Sequence, residues 1–161
     1  MFANKPMIAG KLASKRQAGI AAIELALLLP AMVALIAFPL FFGRVFMFYS
    51  VAQKAALNSA SFLAKVPVVE MLDASKSLAA TAIAQEIVDA TIAELQPGSQ
   101  GIVVTQIQCG DGPCGSEVPT SVTVLVKVRI FDEFFNYFTG PAVGDRGLHL
   151  SAKVTMTYVG A

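Results

Sequence analysis

The longest uncharged stretch of the chain lies near its N-terminus. Nineteen consecutive residues, Leu25 to Gly43, carry no charge and are bounded by Glu24 and Arg44. About 20 apolar residues in a helix cross the hydrocarbon core of a bilayer. A helix that is apolar on every side suits lipid better than the interior of a soluble domain, which is the alternative. The pattern therefore predicts a membrane-spanning helix, assigned to residues 20–48.

Helix-forming residues continue beyond this stretch. After Tyr49 no helix breaker occurs before Pro67, so we expect the helix to extend to about Lys65, with residues 49–66 as its extension outside the membrane. Small side chains in the extension allow the close approach of another helix. They are Ala52, Ala55, Ala56, Ser59 and Ala60. The neighbour is either the chain's own globular part or a second subunit.

Residues 67–161 are expected to form an extracytoplasmic domain that starts with a second helix. This helix is predicted from about Val69 to Gln96 and is ended by Pro97 and Gly98. Its larger apolar residues fall on one side and its polar residues on the other, as in a helix that covers a sheet. The apolar side comprises Leu72, Ile83, Ile87, Val88 and Leu95, and the polar side Gln85, Glu86, Asp89 and Gln96.

Three strands are predicted after this helix, at residues 102–108, 121–130 and 148–158. In the second and third, apolar and polar residues alternate, which buries one face and is typical of an antiparallel sheet. The predicted fold class is α+β. It combines an N-terminal kinked transmembrane helix that extends outward with a second helix packed on a small antiparallel sheet of about three strands.

The link between the last two strands is rich in aromatic residues, namely Phe134, Phe135, Tyr137 and Phe138. Core packing or packing near the membrane is the simpler interpretation. A patch that binds a partner is the sharper hypothesis.

Charge and composition add an orientation to the predicted helix. The chain has 161 residues, of which 55% are hydrophobic and 14% charged, and this excess of apolar residues supports a membrane protein. Every charge before Glu24 is positive, at Lys5, Lys11, Lys15 and Arg16. By the positive-inside rule the N-terminus stays in the cytoplasm and the C-terminal part is translocated.

A cleaved secretory signal peptide is the alternative to a retained anchor. Its apolar region would span about 7–15 residues and end at a site of small residues. Here the apolar stretch continues to Phe48, and phenylalanines occupy the region of such a site: Phe41, Phe42, Phe46 and Phe48. The sequence therefore favours an anchor.

Two motifs in this region resemble those of known pilus proteins. Gly19 is followed by IAAI and then Glu24, which is similar to the signature that prepilin peptidases recognise in type IV pilins and pseudopilins. The stretch ELALLLP at residues 24–30 and FFGRVF at residues 41–46 resemble the opening of TadE-like proteins of the tight-adherence pilus system. Leu25 stands where that family commonly has an aromatic residue.

The resemblance implies how the protein is processed and where it acts. Residues 1–19 would be a basic leader, removed after Gly19 by a prepilin peptidase, so that the mature protein begins at Ile20. The protein would be a minor pilin or pseudopilin of the bacterial inner membrane, with its C-terminal domain in the periplasm. Its partners would be other pilin or pseudopilin subunits, the assembly platform of the inner membrane and the lipid bilayer. Major pilins of that system are typically shorter, which favours a minor role.

Cleavage after Gly19 would supply a partner for Glu24. An acidic residue at the centre of a membrane helix costs about 2.5 to 3.5 kcal/mol, and less near an end. The new α-amine of Ile20 lies one helical turn from Glu24 on the same face. Opposite charges about 4 Å apart gain on the order of 4 kcal/mol at an effective dielectric of 20. The amine belongs to the same chain or to a neighbouring subunit, and simple solvation of Glu24 at the headgroups is the alternative.

Two prolines interrupt the hydrogen bonds of the predicted helix. Pro30 and Pro39 offer no N–H to the carbonyls of Ala26 and Leu35, which predicts kinks that a membrane helix tolerates. The kinks are either static, or they let the helix bend or open when it leaves the membrane and packs in a filament.

The two cysteines bracket a short turn, CGDGPC, between the first two strands. In a translocated domain, a disulfide between Cys109 and Cys114 is expected, and it would contribute roughly 2 kcal/mol in the chain-entropy model. A metal site would need more ligands nearby, and redox motifs use a shorter spacing. We expect no metal and no cofactor.

An enzyme or ligand-binding module held by a signal anchor is the alternative function. The single histidine, His149, falls on the polar side of the last strand without a nucleophile or phosphate-binding motif. Without residues 1–19 the chain has 8 basic against 11 acidic residues, a formal charge of −3. It also lacks a basic patch interleaved with aromatic residues, so no nucleic-acid partner is expected. The prediction is a non-enzymatic assembly subunit.

Overall fold

The computed structural model describes residues 17–95, 103–115, 117–131 and 147–160, with the backbone alone for residues 17 and 18. The elements follow the order α1, α2, α3, β1, β2, β3: Gln17–Leu63, Val68–Leu72, Ala74–Ala93, Val103–Cys109, Ser121–Ile130 and Leu148–Thr157. The chain divides into two compact units after Pro39. The predicted fold class, α+β with a long apolar N-terminal helix and a three-stranded antiparallel sheet, is confirmed.

The first unit contributes the N-terminal part of α1. This part is helical because its residues are helix-forming and apolar, and the helix includes both Pro30 and Pro39. Its aliphatic side chains are mostly exposed, such as Leu27 at 75% and Leu35 at 73%. Among the described residues, α1 is the one helix long and apolar enough to cross a membrane. The exposure of so many aliphatic side chains is favourable in lipid and unfavourable in water.

The second unit is built on the sheet, whose strands are ordered β1-β2-β3 and are all antiparallel. β2 is the central strand, and its even-numbered residues, Val122 to Ile130, are buried. Val126 lies between Thr105 of β1 and Ala152 of β3 on this face. The alternation therefore buries one face, as predicted. β1 begins and ends one residue later than the predicted first strand.

Helices α1 and α3 cover the buried face of the sheet. Ala56 and Ala60 of α1 and Ala84 of α3 are fully buried in the same core as the strands. Their small side chains allow close packing, and the Ser59 hydroxyl donates a 2.9 Å hydrogen bond to the Ala84 carbonyl. The small residues of the helix extension thus pack against the chain's own domain, which decides between the two alternatives left by the sequence.

The predicted second helix is wrong in its continuity. Asp73 is extended (φ −84°, ψ 116°) and separates the short α2 from α3. Its carboxylate accepts hydrogen bonds from the Ser75 hydroxyl at 2.6 Å and the Ser75 amide at 2.9 Å. These bonds lower the pKa of Asp73 and satisfy a donor at the start of α3, which is why a new helix begins here. The described turn after α3 reaches Leu95, so Gln96, Pro97 and Gly98 lie outside the described residues.

The predicted buried side of this helix is also partly wrong. Leu72 and Ile83 are about half exposed, at 49% and 47%. The buried residues are instead Ser77, Ala80, Ala84, Val88 and Ile92. Alanine occupies the centre of this face because the alanine-rich side of α1 approaches closely. The aromatic residues Phe134, Phe135, Tyr137 and Phe138 lie outside the described residues.

The chain after β3 closes the domain against the end of α1. The Tyr158 hydroxyl donates a 2.6 Å hydrogen bond to the Val66 carbonyl, and the Val159 amide donates to the Ala64 carbonyl at 3.0 Å. Partial burial of the phenol raises the pKa of Tyr158. These bonds satisfy carbonyl groups of the turn that follows Leu63, the last residue of α1.

Overpacking the contact between α1 and α3 is expected to destabilise the domain. Ala84→Leu adds three carbons where the side chain is fully buried against α1, at an expected cost of about 1–3 kcal/mol. Ala90→Leu places the same change on the exposed face of α3 and serves as the matched control. Thermal unfolding of both variants should show a lower midpoint for Ala84→Leu alone. Equal midpoints would contradict this packing.

Candidate functional site

The residues of the predicted processing signature lie in the first described turns of α1. The described helix starts at Gln17, and Gly19, Ile20 and Glu24 are all helical. Glu24 follows about one helical turn after Ile20. The Gly19–Ile20 peptide bond therefore lies within the helix.

This part of α1 is accessible from outside. A side chain added at Gly19 would meet no atom within 4 Å, and Ile20 is 61% exposed. Recognition by another protein therefore requires no unpacking of the described chain. A bulky residue at position 19 would not disturb the described structure either.

Glu24 is exposed among apolar neighbours and lacks a cationic partner in the described part of the chain. In the intact chain the nitrogen of Ile20 is an amide and carries no charge. Cleavage of the Gly19–Ile20 bond would convert it to an amine, within one helical turn of the carboxylate. The arrangement thus places a potential cation beside the anion without any rearrangement of the helix.

The helix also carries both predicted kink residues. Pro30 and Pro39 remain inside α1, where each removes one backbone hydrogen bond and leaves a carbonyl without its usual donor. A bend at either proline, static or active, stays a prediction.

Cys109 and Cys114 lie in the turn between β1 and β2. The structure joins them as a disulfide, with 4.9 Å between their Cα atoms. The turn is narrow because the Cys109 amide donates to the Gly112 carbonyl at 2.9 Å and Gly110 adopts a positive φ of 64°. Gly110 meets this requirement without the steric penalty of a side chain. The oxidation of this pair in the cell is a proposal.

Loss of this disulfide is expected to lower the stability of the domain. A double Cys109→Ser, Cys114→Ser variant should lose roughly 2 kcal/mol by the chain-entropy estimate. Thermal unfolding with and without a reductant measures the effect. The wild-type midpoint should fall with reductant to that of the variant, and the variant should not respond. A wild-type protein indifferent to reductant would show that the two thiols are not joined.

One interaction at the end of the uncharged stretch is not evident from the hydropathy pattern. The Arg44 guanidinium lies 5.6 Å from the centroid of the Phe48 ring, a distance at which a cation is attracted to an aromatic face. The contact places an aromatic ring beside Arg44, the first charged residue after the apolar stretch. The sequence signal for this contact is the spacing of four residues between Arg44 and Phe48, which puts both on one side of a helix.

No group of three or more His, Cys, Asp or Glu side chains within the described residues is placed to hold a metal ion. His149 is exposed on the solvent face of the sheet, opposite Arg129 on β2. The residues with a predicted chemical role in processing, Gly19, Ile20 and Glu24, lie on α1.

A comparison with models of protein families gives a match to this helix. The family model described as TadE-like protein aligns with residues 19–61. Residues 19–61 match a TadE-like domain. No curated protein and no solved structure matches the chain.

The TadE-like domain coincides with most of α1. It starts at Gly19, includes Glu24 and both prolines, and ends two residues before Leu63, the last residue of the helix. The resemblance seen in residues 16–48 thus extends into the part of α1 that packs on the sheet. The domain and the exposed apolar helix indicate a membrane-anchored protein associated with the tight-adherence pilus.

Proposed function

We propose that this chain is a minor pilin-like or pseudopilin-like subunit, which a prepilin peptidase cuts after Gly19 and which is needed to assemble a tight-adherence pilus. The observation that carries the proposal is the start of the TadE-like match at Gly19. This glycine and Glu24 lie about 1.4 turns apart on an exposed stretch of α1, with the spacing that the sequence shares with the cleavage signature.

The mechanism rests on a change of charge at Ile20. Before cleavage, Glu24 is an anion without a described partner, at the edge of a segment suited to lipid. After cleavage, the Ile20 amine of the same or a neighbouring subunit pairs with it, with a gain on the order of 4 kcal/mol at 4 Å and an effective dielectric of 20. A pairing between subunits would also fix how far one helix is shifted along the next.

The proposed topology follows from the same helix. The basic residues 1–19 stay in the cytoplasm, residues 20–48 cross the inner membrane, residues 49–66 continue the helix outside it, and residues 67–161 complete a periplasmic domain. Exposed aliphatic residues from Ile20 to Leu40 correspond to about 30 Å of helix, which is the thickness of a hydrocarbon core. The core of the periplasmic domain includes Phe48, close to the proposed end of the span.

Deletion of the chain tests the function itself. Cells that lack it are expected to lose the surface fibre and attachment to surfaces, and expression of the full chain from a plasmid should restore both. Electron microscopy of the cell surface measures the fibre directly. Normal fibres in the deletion strain would overturn the proposal and would favour the alternative, an anchored binding module or enzyme of the cell envelope.

A further inference from the structure

The solvent face of the sheet is basic at one end. Lys127 and Arg129 of β2 and His149 and Lys153 of β3 all lie on this face, which is the one not covered by α1 and α3. Arg129 is directly opposite His149, and Lys127 is opposite Ser151, one position pair from Lys153. The outward residues of the three strands include no acid. We call these four residues the basic face.

The cations of the basic face are not neutralised within the described structure. No carboxylate there forms an ion pair with them. Arg129 is half-buried, and its Nε atom is shielded from solvent without a hydrogen-bond partner in the described chain. A partly desolvated cation without a partner is unfavourable. A carboxylate from another molecule would relieve this cost.

The opposite side of the same domain offers such carboxylates. Glu86 and Asp89 are exposed on the side of α3 that points away from the sheet. They line a shallow depression of about 580 Å³ together with Ala82, Gln85, Ala90 and Ala93. The small alanine side chains leave space beside the two carboxylates, which suits the long side chain of a lysine or arginine. We call these six residues the acidic groove.

We propose that the basic face of one copy binds the acidic groove of a second copy. The two surfaces differ and lie on opposite sides of one domain, so each bound copy leaves one surface of either kind free. A contact of this heterologous type repeats and forms an open row unless its rotation closes a ring. The contact goes beyond the proposed function, because it involves the folded domain and does not depend on cleavage after Gly19.

Charge complementarity selects a second copy as the occupant. Cations on one side and carboxylates on the other are present in every copy, at equal concentration and on the same side of the membrane. Such pairing sets orientation and the rate of encounter more than raw affinity. Binding of the basic face to another anion, such as a lipid headgroup, is a separate outcome that the experiment detects.

Crosslinking of the full-length chain in membranes tests the contact. One tagged copy carries Ser151→Cys beside Lys127, and a second, differently tagged copy carries Ala90→Cys in the acidic groove, so that no charge is removed. The native cysteines are joined to each other and leave the two new thiols for a bismaleimide. The expected product is a mixed dimer with both tags, whose yield falls in 1 M salt. Two copies with Ser151→Cys should give none.

Charge reversal supplies the decisive comparison. Lys127→Glu with Lys153→Glu in the Ser151→Cys copy should reduce the mixed dimer about fivefold or more. Glu86→Lys with Asp89→Lys in the other copy should restore it. Lys54→Glu with Lys65→Glu is the matched control, since both lysines are exposed and lie outside the basic face. This control should leave the yield unchanged.

Two results would overturn the proposal. The first is a mixed dimer whose yield does not change on charge reversal and which is lost in Glu24→Gln. That result would mean that copies contact each other through α1 alone, and it would leave the proposed function intact. The second is a loss on reversal of the basic face that reversal of the acidic groove does not repair. That result would assign the basic face to another anion. A mixed dimer that persists in Glu24→Gln and follows the charges supports the proposal even if the proposed function fails.

Discussion

Glu24→Gln is expected to abolish fibre assembly while cleavage and membrane anchoring continue. Glutamine keeps the size of the side chain and removes its charge, so the attraction to the Ile20 amine is lost. Even a third of the estimated 4 kcal/mol corresponds to a tenfold change in an equilibrium constant, so assembled protein should fall by tenfold or more. Insertion should be unimpaired, because a neutral amide is less costly in a membrane helix than a carboxylate.

Fractionation of cells into sheared fibres and membranes measures this effect. Glu70→Gln makes the same substitution at an exposed residue of α2 and should assemble like the wild type. Normal fibre yield from Glu24→Gln would contradict a role for charge pairing and would favour a Glu24 that is solvated at the headgroups.

Gly19→Leu is expected to block processing almost completely. Position 19 faces open space, so leucine fits without disturbing the described helix. Loss of cleavage would therefore report the fit of the chain to the peptidase and not a folding defect.

Gly43→Leu is the matched control, because this second glycine of α1 also meets no atom within 4 Å. Immunoblotting should show only the longer form for Gly19→Leu and only the shorter form for Gly43→Leu and the wild type. If the Gly19→Leu variant is shortened like the wild type, cleavage does not occur after Gly19.

The elements with long, regular patterns could be predicted from the sequence. Residues 121–130 repeat valine or isoleucine at every second position, and a single register then places all of them on one face. The C-terminal end of α1 was also predictable to within a few residues, because no helix breaker occurs between Tyr49 and Pro67. In both cases the local preference and the tertiary packing act in the same direction.

The course of the second helix could not be predicted, because two local rules competed there. Residues on both sides of Asp73 favour a helix, yet its carboxylate binds the amides that follow and starts a separate helix. The large apolar residue Ile83 suggested the buried side, whereas Ala80 and Ala84 occupy it. Which alanines are buried depends on how closely α1 approaches, and that distance is set by tertiary packing rather than by α3 itself.

The candidate site could be predicted from the sequence for a different reason. Gly19 and Glu24 belong to one short segment, so their spacing along the chain fixes their placement on the helix. The basic face was harder to predict from the sequence, because its four residues come from two strands and only the strand register brings them together.

The mass of the intact protein extracted from membranes tests cleavage after Gly19. Cells with and without a prepilin peptidase should be compared, with the first residue deduced from the mass. The protein should begin at Ile20 when the peptidase is present and retain residues 1–19 when it is absent. A protein that keeps its basic N-terminus in both strains would exclude this cleavage and would make the spacing of Gly19 and Glu24 a coincidence.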